Sequence, residues 1–130
     1  MATFSKRSLE KLATCDERLQ DVMNRVVKSF DCTILTGFRT KEEQTELYLT
    51  GKSQLQWPHG KHNVMPSKAL DAAPYPIDWK DRERASFFAG FVLGVASEMG
   101  ISLRWGGDWN QNWQVRDNSF DDLWHFEIVG

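Results

Sequence analysis

Residues 61–71, with the sequence KHNVMPSKALD, set a histidine and an aspartate nine positions apart. A Pro-Ser pair at 66–67 predicts a turn, and the apolar residues after it predict a short strand over 69–73. That strand would fix the side chain of Asp71, whereas His62 would belong to the loop before it. An imidazole and a carboxylate are two of the ligand types that proteins use for Zn²⁺.

A second imidazole lies near the end of the chain, in DLWHFE (residues 122–127). A strand predicted over 123–129 would hold His125 in a fixed orientation. Two imidazoles and one carboxylate leave a fourth position open to water, which is the ligand count of a catalytic zinc site. We therefore predict that His62, Asp71 and His125 bind one zinc ion per chain.

His59 is the alternative to His62 as a ligand. The pattern His59-x-x-His62 also presents two imidazoles, and the chain has only three histidines. His59 stands between a proline and a glycine in a segment with no regular element to orient it. We therefore prefer His62.

Two charged residues are candidates for the chemistry around such a metal. Asp122 lies three residues before His125 and would take a proton from water and pass it to a leaving amine. Arg39 lies between a predicted strand and a predicted helix, a position that often points a side chain into a cleft. Its guanidinium is always charged and would stabilise a developing oxyanion. Taken alone, each residue is equally consistent with a surface charge.

Composition limits the class of protein. A chain of 130 residues with 41% hydrophobic content predicts one soluble domain, which we expect to cover residues 1–130 with no second domain. A net charge of −2 argues against nucleic-acid binding. The N-terminus has no apolar segment typical of a secretion signal, and no apolar run of 18 residues follows. Two cysteines fit a reducing cytoplasm, although one bridge between Cys15 and Cys32 stays open.

The N-terminal half predicts helices around one strand. Capping boxes at 14–17 and 40–43 predict two helix starts, with a shorter helix before the first of them. Residues 32–36 are rich in β-branched side chains and predict a strand. The first capped helix has a buried face at helical spacing, formed by Leu19, Val22, Met23, Val26, Val27 and Phe30.

The C-terminal half predicts one long helix and two strands. Asp78 would cap the helix and Gly100 would end it. Gly90 and Gly94 would allow another element to approach closely. A strand is predicted over 101–105, followed by a loop or irregular hairpin to Ser119. The buried face of the helix is predicted to comprise Phe87, Phe88, Phe91, Val92, Val95 and Met99.

Together these segments resemble the D-Ala-D-Ala carboxypeptidase and VanY-like zinc peptidases. They are most similar to the L-alanyl-D-glutamate peptidase endolysins of tailed bacteriophages. The family pattern S-x-H-x-x-G-x-A-x-D corresponds here to GKH at 60–62 and ALD at 69–71, and the downstream acidic residue and histidine correspond to DLWHFE at 122–127. TGFRT at 36–40 and WGGDWN at 105–110 also resemble family segments. The resemblance extends from about residue 8 to the end.

The resemblance implies an α+β fold of the hedgehog and DD-peptidase type, a small mainly antiparallel sheet with helices packed on it. It also implies hydrolysis of a peptidoglycan stem peptide by zinc-activated water, with L-alanyl-D-glutamate as the expected bond. Asp122 would then be the acid/base and Arg39 would assist at the substrate carbonyl. Substrate contacts are expected from Arg39, Gln44, Asp108 and Trp124. A phage lysis enzyme of this kind would act as a monomer, accumulate in the host cytoplasm and reach the wall after membrane permeabilisation.

Two departures from the family pattern and several alternatives accompany this prediction. Gly60 replaces the usual serine, and the spacing from His62 to Asp71 is nine rather than seven. We expect the loop to absorb the extra length, because lengthening a loop costs little free energy. A D-Ala-D-Ala carboxypeptidase or dipeptidase is the alternative within the family. A non-catalytic zinc domain of the hedgehog type and a sugar-binding module based on the six tryptophans are the alternatives outside it.

Overall fold

A computed structural model describes residues 2–116 and 121–130 of the chain. In chain order these comprise α1 (Lys6–Leu12), α2 (Glu17–Val27), β1 (Cys32–Thr36), α3 (Lys41–Leu49), a short 3-10 helix (Lys61–Asn63), β2 (Ala69–Pro74), α4 (Arg82–Glu98), β3 (Leu103–Gly106) and β4 (Asp122–Ile128). The strands form one sheet in the order β1-β2-β4-β3, and each neighbouring pair is antiparallel. This arrangement confirms the predicted α+β class.

The hydrophobic core lies between one face of the sheet and three helices. α1 contacts β1, while α4 contacts β2, β3 and β4 and also packs against α2. Leu70 and Phe126 are cross-strand partners that point into this core. Because side chains alternate along a strand, Asp71 and His125 point to the opposite face. Among the described residues, no helix is long and apolar enough to cross a membrane.

Helix starts differ from the prediction in two places. The capping box predicted at 14–17 is wrong, because Asp16 caps α2 by accepting a hydrogen bond from the Arg18 amide. The Thr14 hydroxyl instead accepts from the Phe38 amide at 2.9 Å, a contact between distant segments. The capping box of α3 is confirmed, with Thr40 and Glu43 bonding each other's amides.

The long helix α4 begins later in the sequence than predicted, and more of its large apolar side chains are exposed than predicted. Its N-cap is Asp81 rather than Asp78. Phe87 is 73% exposed, and Phe91 and Met99 are also exposed, whereas Phe88 and Val92 are buried as predicted. The predicted close approach at Gly90 and Gly94 is wrong, because a Cβ added at either position meets nothing within 4 Å.

The last two strands are shifted slightly from their predicted positions. β3 begins at Leu103 rather than at residue 101, and β4 covers Asp122–Ile128 rather than 123–129. Residues 107–116 form no helix or strand. The rest of the loop predicted to run to Ser119 lies outside the described residues from 117 onward.

Both cysteines are free and buried, so the structure holds no bridge between Cys15 and Cys32. Burial raises the pKa of the Cys15 thiol to about 11 and that of Cys32 to about 12. Because the thiolate is the reactive form, we expect each thiol to react with iodoacetamide at pH 8 at least about 100-fold more slowly than a free cysteine. Mass spectrometry should show two added groups only in denaturant. Native labelling at the rate of free cysteine would contradict the buried environment.

Candidate metal centre and cleft

The side chains of His62, Asp71 and His125 come together on the sheet face opposite the core. Asp71 and His125 are direct cross-strand partners on β2 and β4, the two central strands. His62 reaches them from the 3-10 helix Lys61–Asn63, which contacts β2. All three residues are buried.

One donor atom of each side chain faces a common centre. The Nε2 atom of His62 lies 3.3 Å from Nδ1 of His125 and 3.4 Å from Oδ1 of Asp71. The same Oδ1 lies 3.5 Å from Nδ1 of His125. Neighbouring corners of a tetrahedron with metal–ligand bonds of 2.0–2.1 Å are about 3.3–3.4 Å apart. The three atoms therefore have the spacing of three tetrahedral ligands.

The hydrogen bonds behind the histidines leave lone pairs facing that centre. The Nδ1–H group of His62 donates to the Gly37 carbonyl at 2.7 Å, so its Nε2 is free of hydrogen. The Nε2–H group of His125 donates to Glu127 at 2.7 Å. Oδ1 of Asp71 is buried and has no hydrogen-bond partner. Two nitrogen lone pairs and a carboxylate oxygen at this distance repel each other unless a cation lies between them.

The pKa values of the cluster also favour positive charge at its centre. Burial alone would raise the pKa of Asp71, but the rings of His125 and His62 hold it well below its ordinary range. Burial alone would lower the pKa of His125, but its contacts with Asp71 and Glu127 raise it to about 9. The raised pKa of His125 means that, without a metal, a proton supplies positive charge at the centre. A bound divalent cation would supply that charge instead.

Arg39 is oriented by the same cluster. Its Nη2 atom lies 3.0 Å from Oδ2 of Asp71, and its Nη1 atom donates to the Gln44 side chain at 3.3 Å. Its backbone amide donates to the His62 carbonyl at 2.8 Å. The guanidinium is therefore fixed beside Asp71, whose other oxygen faces the metal position.

A cleft of about 480 Å³ opens over the cluster. Arg39, Asp122 and His125 line it, together with Trp109. Oδ2 of Asp122 lies 3.9 Å from Nδ1 of His125. Burial, and then the nearby Asp71, raise the pKa of Asp122 above its ordinary value. A carboxyl group with a raised pKa is better suited to both accepting and returning a proton near neutral pH.

A glycine allows Asp122 to reach this position. Gly106 pairs with Asp122 where β3 meets the start of β4, after a shift in register. A Cβ on Gly106 would lie 2.1 Å from the Asp122 carbonyl oxygen. A side chain at this position would therefore force β3 or the start of β4 to shift.

The other residues predicted to contact substrate differ in position. Gln44 lines the cleft but is 1% exposed, and its amide bonds Ser53, Arg39 and the Leu55 carbonyl. Asp108 is buried and accepts hydrogen bonds from the amides of residues 112 and 113, which holds its own loop. Trp124 packs edge-on against Trp79. The structure brings neither Asp108 nor Trp124 into the described lining of the cleft.

The extra length between His62 and Asp71 forms an exposed excursion. The Lys68 amide donates to the Lys61 carbonyl at 3.0 Å and closes the loop at its base. Val64 and Met65 are exposed at its tip. Ser67 is fully buried and its hydroxyl donates to the Ala69 carbonyl at 2.6 Å. The loop therefore absorbs the additional residues away from the metal-facing atoms.

Gly37 supports His62 from behind, and its replacement should destabilise the fold. A Cβ at Gly37 would lie 2.3 Å from Oγ1 of Thr14 and 2.5 Å from the backbone oxygen of Lys11. We expect Gly37→Ala to lower the free energy of unfolding by about 1–3 kcal/mol in urea denaturation. Gly90→Ala is the matched control, because its Cβ meets nothing and alanine favours a helix interior by about 0.5–1 kcal/mol. Equal stability of the Gly37 variant and the wild type would contradict this close packing.

Comparison with known proteins confirms the resemblance drawn from the sequence. A family model described as phage L-alanyl-D-glutamate peptidase matches residues 1–129. The chain is 34% identical over 134 residues to the L-alanyl-D-glutamate peptidase of Escherichia phage T5, covering 97% of each protein. The crystal structure of the Serratia marcescens L-Ala D-Glu endopeptidase ChiX has the same fold, with a TM-score of 0.77, 23% identity and coverage of 98% of this chain and 91% of that one. This chain belongs to the phage L-alanyl-D-glutamate peptidase family.

Proposed function

We propose that this chain is a zinc-dependent peptidoglycan peptidase of the phage endolysin type that hydrolyses the L-alanyl-D-glutamate bond of the stem peptide. The observation that carries the proposal is the tetrahedral spacing of the His62, Asp71 and His125 donor atoms beneath a cleft that Asp122 and Arg39 line. Membership of the phage L-alanyl-D-glutamate peptidase family is the reason for proposing L-alanyl-D-glutamate as the bond that is cleaved. All three donor atoms come from one chain, so one ion per chain is expected.

Zinc is the metal that this donor set suits. Two imidazoles and one carboxylate, with room for one more ligand, are typical of catalytic zinc rather than of Mg²⁺ or Ca²⁺, which prefer oxygen ligands. Bound zinc would supply Lewis acidity to both the water and the scissile carbonyl.

Asp122 would carry the proton during hydrolysis. Its carboxylate takes a proton from the attacking water, whose oxygen bonds to the carbonyl carbon of the alanyl residue. When the carbon–nitrogen bond breaks, Asp122 passes that proton to the amine of the glutamyl residue. This role is supported by the distance of 3.9 Å between Oδ2 of Asp122 and the metal-facing nitrogen of His125.

Arg39 would stabilise the negative charge that develops on the carbonyl oxygen. Asp71 and Gln44 hold its guanidinium in one orientation, so little reorganisation is needed when that charge appears. The ion pair between Arg39 and Oδ2 of Asp71 also holds the Asp71 carboxylate, so its metal-facing oxygen stays in place.

The charge of the cleft suits a glutamyl substrate. Among the residues that the structure describes, its lining includes four cations, Arg39, Lys52, Lys61 and Arg104, and two acidic residues, Asp122 and Glu127, in a chain whose net charge is −2. A glutamyl residue has two carboxyl groups, and at most one of them continues the peptide. The remaining carboxylate would be attracted to the cations of this lining, which outnumber its acidic residues.

The identity of the cleaved bond is tested by mass analysis of the fragments released from purified peptidoglycan. Cleavage at L-alanyl-D-glutamate should release stem peptides that begin with glutamate and leave alanine on the glycan strand. Loss of a single terminal alanine would instead identify a D-Ala-D-Ala carboxypeptidase and overturn the proposed bond. Intact stem peptides would overturn the proposed activity.

A further inference from the structure

Glu127 is a buried carboxylate directly behind one of the candidate ligands. It is 6% exposed and lies two residues after His125 on the same face of β4. Its Oε1 atom accepts the Nε2–H of His125 at 2.7 Å. Its Oε2 atom lies 2.7 Å from Nη2 of Arg104 and 3.3 Å from Nζ of Lys61. Both oxygens are therefore engaged.

This contact decides which nitrogen of His125 faces the centre. A carboxylate can only accept, so the ring carries a hydrogen on Nε2, and Nδ1 is the nitrogen whose lone pair is available to a metal that displaces a proton. His62 is held in the opposite sense, with its Nδ1–H on the neutral Gly37 carbonyl and its Nε2 facing the centre. Of the two histidines, His125 alone is backed by a negative charge, and that charge makes its free nitrogen the stronger donor.

Two cations hold Glu127 in place from different elements. Arg104 is its cross-strand partner on β3 and donates from Nε at 3.2 Å as well as from Nη2. Lys61 directly precedes His62 and also donates to the Ile128 carbonyl. Glu127 thus connects the segment that carries His62 to the strand that carries His125. Because the carboxylate is buried, these ion pairs constrain its geometry more than exposed pairs would.

We propose that Glu127 is a positioning residue for the metal centre: through its bond to Nε2 it selects Nδ1 of His125 as the ligand atom, while Lys61 and Arg104 fix the orientation of the pair. The proposal rests on the proposed function, because it requires that the cluster bind zinc. Removing such a partner behind a ligating histidine typically weakens metal binding by about 10–100-fold.

The test compares Glu127→Gln and Glu127→Ala with the wild type, using Glu98→Gln, at the exposed end of α4, as the matched control. Zinc affinity is measured by competition with a chromogenic chelator. Long-range ¹H–¹⁵N spectra of labelled histidine report which ring nitrogen carries hydrogen. Thermal unfolding of the metal-free proteins shows that each variant is folded, and the near-isosteric glutamine variant carries the test if the alanine variant does not fold.

We expect Glu127→Ala to bind zinc up to about 100-fold more weakly and to lose the single Nε2–H form of His125. Glu127→Gln should lose about 10-fold, because its NH₂ group would face Lys61 or Arg104 if its oxygen stays on His125. Glu98→Gln should match the wild type. Affinities of both Glu127 variants within twofold of the wild type, with an unchanged His125 form, would overturn the inference. A wild type that binds no zinc would overturn the proposed function instead.

Discussion

Asp122→Asn should lower kcat by about 10²–10⁴-fold while one zinc ion per chain remains bound. Asparagine keeps the size of the side chain but cannot take a proton from water. Asp122 lies beside His125 but is not one of the three residues whose donor atoms converge, so we expect the variant to keep its metal ion. The measurement is the initial rate of amine release from peptidoglycan, with metal content determined on the same sample.

Asp121→Asn is the matched control for that variant. Asp121 is the adjacent residue, but its carboxylate pairs with Arg82 at 2.7 Å and does not line the described part of the cleft. The control should keep wild-type activity. An Asp122→Asn enzyme within about threefold of the wild-type rate would remove Asp122 from the acid/base role.

His62→Ala should abolish both zinc retention and activity, whereas His59→Ala should preserve both. His62 is 3% exposed, and its free nitrogen faces Asp71 and His125. His59 lines the rim of the cleft and is exposed. Loss of one of three protein ligands leaves two, too few for a stable catalytic zinc site.

Metal analysis of the two purified variants after dialysis distinguishes these histidines. Wild type and His59→Ala should each contain about one zinc ion per chain, and His62→Ala should contain far less than one. Activity of His62→Ala should equal that of chelated wild type. The reverse outcome, with zinc lost only from His59→Ala, would show that the ligand assignment is wrong.

The sequence predicted the elements that carry the cluster but not how they meet. Short apolar strands around Asp71 and His125 follow from local composition. Their direct pairing follows from the strand order β1-β2-β4-β3, in which β4 lies between β2 and β3. That order depends on contacts between distant residues, which local periodicity does not contain.

The errors at helix starts have the same origin. Thr14 has the local pattern of a cap, but its hydroxyl instead accepts a hydrogen bond from the amide of Phe38, which is 24 residues away in the sequence. Asp78 and Asp81 both have the side chain that a cap requires, and Asp78 bonds the Lys80 amide instead. The exposure of Phe87 follows from which face α4 turns to the sheet, and helical periodicity predicts a stripe without fixing its width.

Glu127 illustrates which contacts a local sequence pattern can predict and which it cannot. Because side chains alternate along a strand, a residue two positions after His125 is expected on the same face, and the hydrogen bond between Glu127 and His125 agrees with that expectation. Its partners Arg104 and Lys61 could not be predicted, because one depends on the β3–β4 register and the other on the path of the 3-10 helix. The pattern His-x-Glu on a predicted strand was the available signal.

The most direct measurement of the central claim is the release of free amines from purified peptidoglycan by wild-type protein, before and after treatment with a zinc chelator. The account predicts release by the zinc-loaded protein, loss of release after chelation, recovery when zinc is restored, and no comparable release by Asp122→Asn under any of these conditions. Release that persists in the chelated wild type and in Asp122→Asn would contradict the account.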